Sequence, residues 1–244
     1  MRFFSRYFRC IAYDARGFPP SDIPEDGARY SQAIARDDAV AVLDHLKIDK
    51  AHVCGLSMGG FAALHVGIAY PKRVRSLVIG GCGYGAEPDK KANFQAECEA
   101  AAASFESNWA EASKKYAIGP TRVQYQAKDP RGWAEFAKML GEHSGLGSAL
   151  TMLHVQLARP TLWEMEADLT MLQVPLLIIV GDEDEACLDG SLLVKRRAPQ
   201  AALCVIPRAG HTITSEEPAA VNAALAELFA AAEAGRWMAH KPVG

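Results

Sequence analysis

Ser57 stands in the run Val53-Cys54-Gly55-Leu56-Ser57-Met58-Gly59-Gly60. The spacing Gly-x-Ser-x-Gly, between an apolar run and an amphipathic one, is that of a serine carried on a sharp strand-to-helix turn. Glycines two positions to either side let the chain crowd such a turn without a Cβ, and the serine's own backbone is strained there. The turn lifts Ser57 Oγ clear of a sheet and aims the first N–H groups of the next helix at whatever Ser57 attacks. A hydroxyl is a poor nucleophile at neutral pH. It needs a base to take its proton and a further group to fix the tautomer of that base.

Of the seven histidines, only His211 follows a strand-like run, Leu203 to Ile206, within a Gly-His turn. An acidic turn, Asp182-Glu183-Asp184-Glu185, follows a second such run, Val174 to Gly181. Open α/β sheets gather their ligands at the carboxyl ends of the strands, which is where Ser57, the acidic turn and His211 all fall. The chain order is serine, acid, histidine. His45, His52, His65 and His143 read as ordinary structural histidines, whereas His154 is a candidate substrate contact.

The elements that must position these groups follow from pattern. Phe8 to Tyr13 reads as a strand closed by the turn Asp14-Ala15-Arg16-Gly17. Ser31 to Leu46 reads as a helix with Ala35, Ala39, Val42 and Leu46 on one stripe. Ala51 to Leu56 is the strand that delivers Ser57, Met58 to Tyr70 the helix after it, and Val74 to Ile79 a buried strand. Strands and helices alternating at this spacing imply a parallel sheet covered on both faces.

The rhythm breaks between about Tyr84 and Asp168, where only helical segments are found. One covers Lys90 to Ala103. Another starts at Asp129-Pro130, carries Trp133, Phe136, Met139 and Leu140, and is expected to end at Gly145; a third spans Ser148 to Leu157. Trp109, Trp133 and Trp163 lie in this insert, and two readings stay open for each: the lining of an apolar pocket, or the insert's own core. Past the acidic turn come a helix near Ser191 to Arg197 and a closing helix from Pro218 to Glu233.

Composition narrows the function classes. The chain has 244 residues, 50% hydrophobic and 23% charged, with a formal net charge of −3, so nothing marks a nucleic-acid surface. The six cysteines show no paired spacing, which favours a reducing, cytoplasmic setting. No apolar stretch is long enough to span a membrane, and Arg6 and Arg9 interrupt the aromatic start, unlike a signal peptide. No metal-ligand spacing is present and no cofactor is implied. The expected partner is a small-molecule substrate, with no nucleic acid and no membrane.

Four motifs in order, Tyr13-Asp14-Ala15-Arg16-Gly17, Gly55-Leu56-Ser57-Met58-Gly59-Gly60, Val180-Gly181-Asp182-Glu183-Asp184 and Ala209-Gly210-His211 with Glu216, Glu217 and Pro218 downstream, resemble the α/β-hydrolase superfamily over almost the whole chain. The resemblance implies a mainly parallel sheet flanked by helices with a helical lid after the third strand present here. The core would then occupy 1–83 and 169–244, and the lid 84–168. It selects Asp184 as the acid, with Asp182 as runner-up, and gives the Met58 N–H to the oxyanion. Trp133, His154 and Trp163 are the candidate lid contacts to substrate. The implied activity is hydrolysis of a small carboxylic ester or lactone, as in enol-lactonase-like members, without cofactor or metal. Carbon–carbon bond hydrolases and thioesterases share the same triad, and a ligand-binding member with little turnover is the alternative of a different class.

Two family features are missing. No His-Gly precedes Ser57 to mark a second oxyanion donor, a group whose loss costs about 2.7–4 kcal/mol in the transition state. Seven residues precede Phe8, too few for the family's three earlier strands. One of those strands would lie between Phe8–Tyr13 and Ala51–Leu56, where it would contribute on the order of 8–15 kcal/mol of burial against a total domain stability of about 5–15 kcal/mol. The sequence therefore carries the expectation of a longer native chain.

Overall fold

A computed structural model of the chain describes residues 2–85 and 87–239. Helix α1 (Gln32–His45) is followed by strand β1 (Ala51–Leu56), helix α2 (Met58–Ala69) and strand β2 (Val74–Gly80). Then come α3 (Lys91–Ser107), α4 (Trp109–Ala117), α5 (Val123–Lys128), α6 (Pro130–Gly141), α7 (Gly145–Thr151) and α8 (Glu166–Met171). The chain returns to the sheet as β3 (Leu176–Gly181), α9 (Glu185–Arg197) and β4 (Ala201–Ile206), and closes with α10 (Ile213–Glu216) and α11 (Pro218–Glu233). The strands pair in parallel in the order β1-β2-β3-β4.

Successive side chains of a strand point to opposite faces, so a strand buried on both faces feeds two cores. Leu77 and Ile79 of β2, with Leu176 and Ile178 of β3, join Phe61 and Leu64 of α2, Leu169 of α8 and Val194 of α9. Val78, Leu177 and Ile179 point the other way and meet Ile206, Ile213, Val221, Leu228 and Phe229. This two-sided covering is what the near-continuous apolar runs of β2 and β3 require.

Most elements fall where the pattern places them, though α9 starts at Glu185, well before Ser191, and four more differ. Residues 8–13 form no strand: 9–15 have no regular secondary structure. A strand exists only through its ladder, and here a groove of about 460 Å³ separates Ile11, Ala12 and Tyr13 from Val53 and Cys54 of β1. β1 is thus an edge strand among the described residues, half-covered except at the exposed Cys54, while β3 is buried throughout. In α1, capped by the Ser31 hydroxyl accepting from Ile34 N–H at 3.0 Å, the buried residues are Gln32, Val40 and Leu43. Ala35 and Ala39 of the expected stripe line the same groove, and Ala39 also packs against the core. Asp129 caps α6 as expected, accepting from Gly132 N–H at 2.9 Å, but α6 ends at Gly141 and Gly145 opens α7. Met139 is exposed rather than on the packed face of α6. The next helix starts earlier than Ser148 and runs into a single π-type turn at Met152–Gln156.

His65, on α2, is the one half-buried histidine whose Nε2 is shielded without a hydrogen-bond partner among the described residues. Burial, reinforced by the nearby Arg36 and Arg159 cations and only partly opposed by Asp168, pushes its pKa down to about 4. The unfolded chain binds this proton more tightly, so stability is complete above about pH 6.5 and falls as pH drops toward 4, by up to about 3 kcal/mol. Urea unfolding of the protein and of His65→Gln between pH 4 and 7 measures this: the variant should lose most of that slope. An unchanged slope would remove His65 as its cause.

Candidate functional site

The elbow is built by close backbone approach. Ser57 has φ +54° and ψ −118°, outside the comfortable regions for an L-residue. Two hydrogen bonds hold it there: Ser57 N–H donates to Gly80 O of β2 at 2.7 Å, and Phe61 N–H donates to Ser57 O at 3.0 Å. Gly55 is required, because a Cβ there would drive into the Gly59 carbonyl. Gly59 differs from expectation: a Cβ on it would meet nothing within 4 Å, since its face opens onto the groove beside β1. Met58 is the first residue of α2, so its N–H has no partner within the helix and projects from the N-terminal end.

The acid and the histidine meet deep inside. His211 Nδ1 lies 2.8 Å from Asp184 Oδ2, and the two residues are 6% and 5% exposed. Nδ1 facing a carboxylate must carry the proton, which leaves the Nε2 lone pair free to act as a base. The alternative acid, Asp182, is used otherwise: its Oδ1 accepts from Ala209 N–H at 3.2 Å and so ties the acidic turn to the histidine loop. Gly81, at φ +56°, lies against the pair; a Cβ there would approach His211 Cε1 to 3.0 Å.

Glu216 has a position in the site that its sequence context does not reveal. Its carboxylate accepts from Gly210 N–H at 2.8 Å, Thr212 N–H at 3.1 Å and Thr212 Oγ1 at 2.9 Å, clamping the backbone on both sides of His211. Lys128 at the end of α5 reaches the same loop: its ammonium lies 3.6 Å from Glu216 and 2.8 Å from Glu217, and it also donates to Arg208 O. The helical segment and the histidine loop are thereby joined by charge. Glu216 belongs to the motif downstream of His211 that carries the family resemblance, but the sequence gives it no role, and nothing in the sequence marks Lys128.

Two cysteines flank the serine and histidine. Cys82 Sγ donates to Ser57 O at 3.7 Å, and Cys187 Sγ is 3.9 Å from His211 Nδ1. Burial pushes the Cys82 thiol up to about 12 and the Cys187 thiol higher still, so both stay protonated. Asp184, Cys187 and His211 have ligand-type atoms within 4.8 Å of one another. A metal would need the thiolate and would have to displace the Asp184–His211 hydrogen bond, whereas a neutral thiol beside an oriented imidazole fits proton transfer as it stands.

Ser57, Asp184 and His211 all line one cavity of about 630 Å³ beneath the helices between β2 and β3. The residues expected to line it from that side do not. Trp133 donates from Nε1 to Ala117 O at 2.9 Å and fastens α6 to α4. Trp163 packs on the core around α2, and His154 lies against the backbone of Gly27. Trp109 donates to Gly141 O at 3.1 Å. The aromatic lining comes from Phe61, Tyr84, Phe94, Phe105 and Tyr116. Two arginines, Arg122 and Arg159, also line the cavity, and neither was singled out by motif or spacing. No described helix is long and apolar enough to cross a membrane.

Comparison with known proteins agrees with this geometry. A family model described as "Alpha/beta hydrolase family" matches residues 1–224. A Bacillus subtilis (strain 168) protein provisionally named 2-succinyl-6-hydroxy-2,4-cyclohexadiene-1-carboxylate synthase is 29% identical over 223 residues, covering 86% of this chain and 77% of that protein. The 3-oxoadipate enol-lactonase 1 of Acinetobacter baylyi (strain ATCC 33305 / BD413 / ADP1) is 39% identical over 72 residues, 30% of this chain and 26% of that enzyme. Among solved structures, the enol-lactonase from Burkholderia xenovorans LB400 superposes with a TM-score of 0.80 at 20% identity, over 94% of this chain and 84% of that one, a likeness of fold. With the parallel sheet, the strained serine turn and the buried acid–histidine pair in place, the chain belongs to the alpha/beta hydrolase family.

Proposed function

We propose that the protein hydrolyses a small carboxylic ester or lactone through an acyl-enzyme, with Ser57, His211 and Asp184 as its triad. The observation that carries this reading is the buried 2.8 Å contact of His211 Nδ1 with Asp184 Oδ2, on the same cavity as the strained Ser57. Ser57 Oγ attacks the carbonyl carbon while His211 Nε2 takes its proton. The imidazolium is stabilised by Asp184, and the Met58 N–H faces the developing oxyanion. His211 then protonates the leaving oxygen, the acyl group stays on Ser57, and a water activated by His211 releases the acid. The enol-lactonase among the relatives supports the ester or lactone class. The helices from α3 to α8 serve as a lid over the cavity, and the six free cysteines support a reducing, cytoplasmic setting.

A fluorophosphonate probe tests the nucleophile. The protein should be labelled stoichiometrically and Ser57→Ala not at all, while Asp184→Asn, keeping shape but losing the charge, should label and turn over about 10⁴-fold more slowly. A folded protein that resists the probe would favour ligand binding without turnover. Ester, lactone, thioester and carbon–carbon substrates of graded size then separate the reactions this triad can perform.

Glu216→Gln places an amide NH₂ opposite the Gly210 N–H, so one buried donor loses its acceptor. It should destabilise the fold by about 1–3 kcal/mol in urea unfolding and slow turnover. Wild-type stability together with wild-type turnover would show that the carboxylate does not hold the histidine loop.

A further inference from the structure

Arg159 is 8% exposed and carries its positive charge with no carboxylate within salt-bridge distance among the described residues. Its guanidinium carbon sits 3.9 Å over the Phe61 ring and 4.9 Å from the Phe94 ring centre. Nη2 donates to Tyr84 O at 2.7 Å and Nη1 donates to Gln156 Oε1. A guanidinium has five N–H groups, so three remain after these two bonds. The titratable groups nearest it are the thiols of Cys82, Cys98 and Cys187, which burial keeps protonated and neutral, and the imidazole of His65, which cannot supply a negative charge. Burial draws the guanidinium down to about 10, which still leaves it a cation at neutral pH.

An uncompensated buried charge is costly, and contact with two aromatic faces offsets only part of the cost. Its place suggests what completes it. Phe61, beneath the guanidinium, is the residue whose N–H bonds Ser57 O, one helical turn from the nucleophile. Cys82, which feels the Arg159 charge, also contacts Ser57 O. Arg159 and Ser57 line the same cavity. Arg122 lines the same cavity and has no carboxylate partner among the described residues: it lies 4.5 Å over the Tyr116 ring, donates to Thr121 Oγ1 and to Tyr116 Oη at 3.3 Å, and its Nε is buried without a hydrogen-bond acceptor. The acidic groups on the cavity are engaged or sit elsewhere on its wall: Asp184 with His211, Glu97 with Tyr84 and Asn93, and Glu183 and Glu185 on the turn beside Asp184, none paired with either arginine.

We infer that the substrate is an ester or lactone bearing a second, free carboxylate, and that Arg159, stacked on Phe61, binds that carboxylate while Ser57 attacks the ester carbonyl. The inference rests on the ester or lactone reading and adds to it the charge of the substrate. A planar carboxylate matches the flat edge that a stacked guanidinium presents, and it supplies the missing negative charge. Arg122, on the same cavity, adds positive potential that draws anionic substrates in.

The test compares the mono-p-nitrophenyl ester of adipic acid with the same compound methylated on its free carboxylate. The protein should prefer the carboxylate form in kcat/KM by roughly 10–100-fold, mostly through KM. Arg159→Met should bring the ratio of the two close to one, and Arg159→Lys should restore part of it, a specificity change that a purely structural arginine would not produce. Equal use of both esters by the wild type, or a preference that survives Arg159→Met, overturns the inference. Direct calorimetric binding of adipate, against dimethyl adipate as control, reads the subsite without turnover. Binding lost in Arg159→Met supports the inference even if neither ester is cleaved and Ser57 resists fluorophosphonate, an outcome that would sink the hydrolase reading instead. No binding of adipate to the wild type overturns it, as does tighter binding of monobutyl phosphate. If Arg159→Met fails to fold, Arg122→Gln and competitive inhibition of the wild type by adipate give the same decision.

Discussion

The turn at Ser57 depends on one backbone contact, the close approach of Gly55 to the Gly59 carbonyl. It allows a serine to sit at φ +54°, ψ −118°, a conformation that costs on the order of 1–3 kcal/mol and survives only where surrounding packing over-determines it. β2 supplies that packing through Gly80 O, and the buried face of α2 through Phe61 and Leu64. The parallel sheet therefore does more than carry the site. Its packing holds the strain that points Ser57 Oγ into a cavity and frees the Met58 N–H at the helix end.

The histidine side is held by carboxylates. Asp184, Asp182 and Glu216 each take a different part of the loop after β4: the imidazole, the Ala209 N–H and the backbone on both sides of His211. Three carboxylates around one loop are tolerable because each accepts hydrogen bonds and Lys128 stands beside one of them. The same balance is missing at Arg159, and that asymmetry is the physical basis for assigning the substrate a negative charge.

Much of this was legible in the sequence because period and turn chemistry specify it locally. The near-continuous apolar runs of β2 and β3, the Ser31 and Asp129 caps and the Gly-x-Ser-x-Gly spacing each determine their own geometry within a few residues. What was not legible depends on partners distant in sequence. Residues 8–13 have the composition of a strand, but Phe8 packs on Phe229 and Ile11, Ala12 and Tyr13 face a groove instead of a ladder. Trp133, His154 and Trp163 suit a pocket wall by type, yet Trp133 is held by the Ala117 carbonyl, His154 by Gly27 and Trp163 by the core. Arg159 is separated from Phe61 by nearly a hundred positions of sequence, so no local pattern could announce their stacking.

The most direct measurement is the intact mass of the protein quenched in acid during turnover of a p-nitrophenyl ester, followed by peptide mapping. The account predicts an added mass equal to the acyl group, located on the peptide containing Ser57 and absent from Ser57→Ala. Turnover without any acyl adduct on Ser57, or an adduct on another residue, would contradict it.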